Sequence, residues 1–206
     1  MLMVARWVIV GIWAALLTVR VIVVSLHPDA DLTVFGIAEG VSIAAGLGVI
    51  GFAVLRARSL RRRHADEALA RAIRGVDPTV WIVPAAPTPE LRETIAAVRP
   101  DSELRSRVTW AFGATEASLW ELDGRRATRL LVVRWSRVMH VGLEDLPDPD
   151  GHGTACAVAL HHVRPDDTTA VATFFVRTAP GSDRLLRRGR RLDDLLARLA
   201  RERIIA

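Results

Sequence analysis

Two apolar runs near the start of the chain limit its folding options more than any other feature. Residues 7–26, WVIVGIWAALLTVRVIVVSL, hold one charge in twenty, and residues 32–55, LTVFGIAEGVSIAAGLGVIGFAVL, hold one in twenty-four. About 20 mostly apolar residues cross a bilayer core of roughly 30 Å, so each run predicts a membrane-spanning helix. The five residues between them, HPDAD, form a polar turn with Pro28 as a helix stop. A cleaved signal peptide is a poor account of the first run, which is too long and is followed by no small-x-small cleavage site.

Charge placement orients this hairpin. Arg6 precedes the first run, the turn has neither Lys nor Arg, and Arg56, Arg58, Arg61, Arg62 and Arg63 follow the second run. The positive-inside rule then predicts a two-pass protein of the cell (inner/plasma) membrane with both termini cytoplasmic. Residues 56–74 carry seven arginines against Asp66 and Glu67, a net +5 that equals the charge of the whole chain. A nucleic-acid binder spreads its basic residues over a folded surface, whereas here the excess sits directly behind an apolar run. The arginine collar is therefore read as topogenic and as a contact for anionic lipid at the cytosolic face, with no nucleic acid as partner.

Inside the runs, Arg20 lies seven residues before His27 and Glu39 eight residues after Asp31, so both sit roughly 10–12 Å in from the outer helix ends. Antiparallel neighbours would bring them to one depth, where an ion pair is far less costly than two lone charges. Arg20 and Glu39 are thus the expected intramembrane pair. Gly36, Gly40, Ala44 and Gly48 recur at spacing four, a small-residue face that permits close helix approach. That face can serve the hairpin, a homo-oligomer or a larger membrane partner.

Behind the collar, Ala65, Leu69, Ala72 and Ile73 keep an apolar line at helical spacing. The second span is expected to continue as a stalk until Gly75, whose tolerance of left-handed backbone suits a helix end. The organisation read from the chain is a transmembrane hairpin over 1–56, a basic juxtamembrane stalk over 57–75, and a domain over 76–206. In that domain the pattern turns to short apolar strands at 79–83, 107–112, 116–122, 129–134, 137–144, 154–163 and 169–177, with turn signals such as Asp123-Gly124 and RPDD at 164–167. Thr88 and Pro89 predict the start of a helix bearing Leu91, Ile95 and Val98 on one side. Ser182 or Asp183 is the expected cap of a long C-terminal helix with Leu185, Leu192, Leu196 and Leu199 on one face. Its arginines suit either a helix closing the sheet with snorkelling side chains or a helix lying on the membrane surface. The fold class expected is a membrane α-hairpin plus an α+β domain, an antiparallel β-barrel of about seven strands capped by a helix, with Trp110, Trp120 and Trp135 in its core.

Chemistry is limited by what is missing. All 28 basic residues are Arg, and Lys, Tyr, Asn and Gln are absent, which excludes a Schiff-base lysine, a P-loop lysine and a catalytic tyrosine. No nucleophile motif or phosphate loop occurs, so neither enzymatic activity nor a cofactor is expected. His152, Cys156, His161 and His162 are the residues closest to a metal set, but on a strand Cys156 and His162 share one face while His161 points to the other. Asp148, Asp150 and Gly151 echo a calcium loop without its closing Glu. Metal is therefore not expected. The lone Cys156 fits a reducing compartment and reads as a small core residue.

Seven antiparallel strands followed by one amphipathic helix resemble a pleckstrin-homology-like domain. The stretch WSRVMHV, with Trp135, Val138 and Val141, is similar to the W-x-x-I-x-x-V strand of bacterial domains of that kind. With ASLWELDGRR before it and an apolar hairpin ahead, the chain resembles actinobacterial membrane proteins that carry such a domain, over residues 76–203. The resemblance implies a binding or scaffolding role: a membrane-tethered adaptor or accessory subunit engaging another membrane or membrane-associated protein. The alternative is an anchored sensor whose domain binds a small ligand or lipid. Relative to that layout the helix at 89–99 is an insertion, and the first hairpin lacks the basic signature of phosphoinositide recognition.

Overall fold

The computed structural model describes residues 2–26, 33–99, 104–124, 126–149, 151 and 153–205. They form two compact units, Met1–Ser59 and Leu60–Ala206. The first unit is helical: α1 covers Leu2–Leu26, and α2, which runs on into the second unit, covers Thr33–Val76. Thr18 and Ser25 donate their hydroxyls to the carbonyls of Ala14 and Val21, each at 2.8 Å. Polar side chains of an apolar helix are thereby satisfied without water. Trp13, Ile22, Leu47, Phe52 and Leu55 are 47–66% exposed, the kind of apolar surface that marks a membrane or protein interaction site. Among the described residues one helix, with Ile43–Val76 in α2, is long and apolar enough to cross a membrane, and none of its apolar window is buried. The apolar stretch described in α1, Trp13–Val23, is shorter, and the turn at 27–32 lies outside the described residues.

Helix α2 passes through the arginine collar without a break. Gly75, expected to end it, is itself helical, and the last turn closes where the Asp77 amide donates to the Ile73 carbonyl at 3.1 Å. The Asp77 carboxylate then accepts from the Thr79 amide and hydroxyl at 2.8 and 2.7 Å, turning the chain into the sheet. Those bonds to its charged form hold the Asp77 carboxyl below its ordinary range.

The second unit is a seven-stranded antiparallel sheet: β1 (Trp81–Pro87), β2 (Val108–Phe112), β3 (Glu116–Asp123), β4 (Arg126–Arg134), β5 (Val138–Pro147), β6 (Thr154–Val163) and β7 (Thr169–Val176). Its order is β4-β3-β2-β1-β7-β6-β5. Two meanders are thus joined by the β1–β7 pairing, from Ala85↔Val176 to Pro87↔Phe174. The outer strands β4 and β5 follow each other in the chain, linked by the 3₁₀ turn Trp135–Arg137. Helix α3 (Pro89–Val98) begins at Thr88, whose hydroxyl accepts from the Leu91 amide at 3.2 Å, and Pro89 fills the first helical position. Helix α4 covers Arg190–Ile205.

Period-two alternation gives the sheet two buried faces. Val108, Trp110 and Phe112 of β2 join one apolar cluster with residues of every other strand, with Leu91 and Ile95 of α3 and with Leu192 and Leu199 of α4. The opposite face carries Ala111 and Trp120, which pack with Leu69 and Ile73 of α2. Trp120, expected in the main core beside Trp110 and Trp135, instead lies under α2, because on β3 it shares the face of Ser118, whose partner on β2 is Ala111. A β-bulge between Leu119 and Trp120 shifts the register there.

The C-terminal helix differs more. It starts at Arg190, not at Ser182 or Asp183. Residues 182–189 form an extended strap, because the Leu186 amide donates to the Val176 carbonyl at 2.6 Å, and the Thr178 amide to the Arg184 carbonyl at 2.9 Å. Leu185 is bridged to Arg177, so it is held beside β7 and cannot join the helical face with Leu192, Leu196 and Leu199. Gly189, at φ +153°, supplies the carbonyl for the first helical bonds, from Leu192 and Asp193.

Candidate functional site

The face of α2 that meets the sheet places Asp66, Leu69 and Ile73 in line at spacings of three and four. Leu69 and Ile73 are buried, and Asp66 enters with them as a charge. Its Oδ2 accepts from Arg107 Nη2 at 2.7 Å, from Arg177 Nη1 at 3.0 Å and from the Gly181 amide at 2.8 Å. Side-chain exposure is 10% for Asp66, 18% for Arg107 and 1% for Arg177. Arg177 also donates from Nε to the Ala85 carbonyl at 3.0 Å, and from its two Nη atoms to the carbonyls of Ser182 and Val108 at 3.2 and 3.4 Å. Burial pulls the Arg177 guanidinium below its ordinary range, and the Asp66 carboxylate opposes that pull. A guanidinium does not release its proton in a protein, so the pairing is what permits this charge inside. A second carboxylate, Asp183, bonds Arg62 and lies 3.6 Å from Arg107 Nη1. These five residues lock the end of α2 to β1, β2 and β7.

At the β4 end of the strand order the sheet has an open edge. A groove of about 550 Å³ runs beside β4, lined by Thr94, Leu130 to Arg134, Arg137, and His162 to Pro165. Val132 and Met139 are 40% and 44% exposed. Arg137 donates from Nη1 to the Arg164 carbonyl at 2.5 Å. Burial holds His162 below its ordinary value of 6.5, and Leu160 O lies 3.2 Å from its Nδ1. The described lining thus offers Arg134, Arg137 and Arg164 with no carboxylate, beside the outer strand of the sheet.

The collar residues separate into two groups. Arg56, Arg58 and Arg61 are exposed, while Arg62 bonds Asp183 and Arg63 donates to Glu67 at 2.9 Å. Two of the five expected lipid contacts therefore engage carboxylates of this chain. Gly36, Gly40, Ala44 and Gly48 are exposed, and a Cβ built at Gly36, Gly40 or Gly48 would meet no atom within 4 Å among the described residues. Arg20 is exposed, and the side chain of Glu39, its expected partner, lies outside the described residues.

Trp135, Val138 and Val141 come together in the main core. Trp135 sits in the 3₁₀ turn and not in a strand, and donates its indole N–H to the Gly113 carbonyl at 2.8 Å. Spacing three would send Val138 and Val141 to opposite faces of a regular strand. The bulge between Val138 and His140 restores them to one face.

The histidine–cysteine set is not brought together. Six strand residues separate Cys156 from His162, about 20 Å, while His161 lies 3.3 Å from Glu144. Burial raises the Cys156 thiol above its ordinary range, with Asp145 adding to the shift. Asp148 and Gly151 belong to the tight β5–β6 turn, where the Gly151 amide donates to the Asp148 carbonyl at 2.8 Å. Asp150 and His152 lie outside the described residues. Among those described, no group of three or more His, Cys, Asp and Glu is placed to hold a metal.

Comparison adds no relative: no protein-family model and no curated protein matches the chain.

Proposed function

We propose that this protein is a two-pass membrane protein whose pleckstrin-homology-like domain binds another protein, so that it acts as a tethered adaptor or accessory subunit. The observation that carries the reading is the open edge of the sheet. β4 and β5, consecutive in the chain, stand at opposite ends of the strand order, and the groove beside β4 offers a strand edge, exposed Val132 and three arginines. An extended segment added to such an edge gains main-chain hydrogen bonds, with alternate side chains reading the groove. Seven antiparallel strands followed by the helix α4 also support the pleckstrin-homology-like half of the reading, whose layout is the same. The lock on α2 supports the tethering half, since the apolar helix and the domain share one continuous element. The exposed small-residue face of α2 supports a partner inside the membrane.

The test is purification of the full chain from its own membranes in mild detergent, beside a Val132→Asp variant. A stoichiometric protein present with the parent chain and reduced with the variant is expected. Recovery of the parent chain with no stoichiometric protein would overturn the reading.

A further inference from the structure

We infer that the partner segment seated beside β4 is acidic: an extended stretch with apolar side chains over Leu131 and Val132 and carboxylates against Arg134, Arg137 and Arg164. The inference rests on the adaptor reading above and names the chemistry of its partner.

The course of the groove sets the form of the occupant. Leu130, Leu131, Val132, Val133 and Arg134 all line it, although successive side chains of a strand point to opposite faces. The groove therefore follows the edge of β4 and not one of its faces. From Leu130 to Arg134 is four strand steps, about 13 Å, the span of about five extended residues. β4 pairs with β3 alone in the strand order. A peptide lying along its outer side can bond to main-chain groups there, which an acyl chain cannot.

Charge is polarised along that length. Arg134 ends β4, Arg137 ends the 3₁₀ turn that follows, and Arg137 Nη1 donates to the Arg164 carbonyl at 2.5 Å. The three guanidiniums thus gather at one end of the groove, while Leu130 and Leu131 lie toward the other. The nearest acids are engaged elsewhere. Glu116 stands opposite Arg134 in the β3–β4 ladder, yet it takes Arg129 at 2.8 Å. Asp166 follows Arg164 by two residues and accepts from the Thr168 amide and hydroxyl at 3.1 and 2.6 Å. Glu90 is one turn before Thr94 on α3 and outside the lining. Among the described residues no carboxylate forms an ion pair with Arg134, Arg137 or Arg164.

These features select among anionic occupants. A nucleic acid needs aromatic side chains on which its bases stack, and the described lining has none. A small anion would use the arginines and leave Leu131 and Val132 uncovered. A protein segment with apolar residues beside carboxylates fills both ends. Three exposed ion pairs of this kind are together worth about tenfold in affinity.

The test replaces Val132 of the full chain with photo-reactive benzoylphenylalanine, irradiates it in its own membranes and sequences the cross-linked segment. A protein segment with carboxylates within about five residues of apolar ones is expected. A synthetic copy of it should bind the purified full chain, and its Asn/Gln counterpart should bind about tenfold more weakly. The Arg134→Gln/Arg137→Gln/Arg164→Gln variant should lose the same factor, with its folding checked by tryptophan emission. A cross-linked segment without carboxylates, or equal binding of the two peptides, would overturn the inference and leave the adaptor reading intact. Cross-linking to lipid or nucleic acid alone, or to nothing, would sink the adaptor reading and the inference with it.

Discussion

Replacing Asp66 with Asn should be among the most damaging single changes of a polar side chain in the sheet domain. Asn keeps the shape and can still accept from the Gly181 amide, but it removes the one carboxylate bonded to both Arg107 and Arg177. Arg177 is 1% exposed, so no water replaces the lost charge. Breaking a buried pair by removing one partner costs about 3–5 kcal/mol. Arg107 at 18% exposure recovers some hydration, which sets the expectation near 3 kcal/mol. For a domain of this size that lowers the thermal midpoint by roughly 6–12 °C. The assay is unfolding of the full chain in detergent, followed by tryptophan emission from the sheet, with Glu67→Gln as control. Glu67 pairs with Arg63 at the surface, so the control should shift by no more than about 0.5 kcal/mol. If Asp66→Asn and Glu67→Gln shift the midpoint equally, the argument for a buried lock fails.

Three further outcomes are expected. Arg177→Met should be at least as costly as Asp66→Asn, since the carbonyls of Ala85, Val108 and Ser182 lose their donor. The double variant should then cost less than the sum of the two, as residues acting as a unit are non-additive, and a fully additive result in denaturant titrations would contradict the shared network. His162 is held below its ordinary value of 6.5 by burial, so the unfolded chain takes up its proton first. The domain should therefore lose stability as pH falls below 6.5 and show no such loss above it; His162→Gln should flatten that slope in midpoints measured across the range. Trp135→Phe leaves the Gly113 carbonyl without its indole donor and should cost about 1–3 kcal/mol, read from denaturant midpoints.

Much of the sheet could be read from the chain because its strands are apolar runs closed by specific turn chemistry. Gly124 takes φ +59° in the β3–β4 hairpin, and Asp167 takes φ +61° beside Asp166, whose carboxylate binds the Thr168 amide and hydroxyl. Thr88 followed by Pro89 marked α3 correctly, since a hydroxyl cap and a residue with no N–H are what a first turn needs. Other features failed where tertiary bonds override local pattern. Leu185 fits a helical stripe with Leu192, yet the β7 backbone captures its segment as a strap. Trp120 belongs to an apolar strand like Trp110, but only pairing register tells which face it takes. In the chain Asp66 is one acid among arginines, and its spacing with Leu69 and Ile73 is the sign that it enters the interior. Arg177 gives no sign in sequence, because it ends a strand like many surface arginines.

The central claim is that the end of the apolar helix is part of the sheet domain and not a loose stalk. Its most direct test compares the equilibrium stability of residues 60–206 with that of residues 77–206. Burial of Leu69 and Ile73 is worth about 1.5–3 kcal/mol each, and the bonds that Asp66 accepts from Arg107, Arg177 and Gly181 are lost with them. Together these are a large share of the roughly 5–15 kcal/mol that holds a typical domain folded. The account predicts that residues 60–206 unfold cooperatively and that residues 77–206 are close to unfolded in the same buffer. Equal midpoints for the two would contradict it.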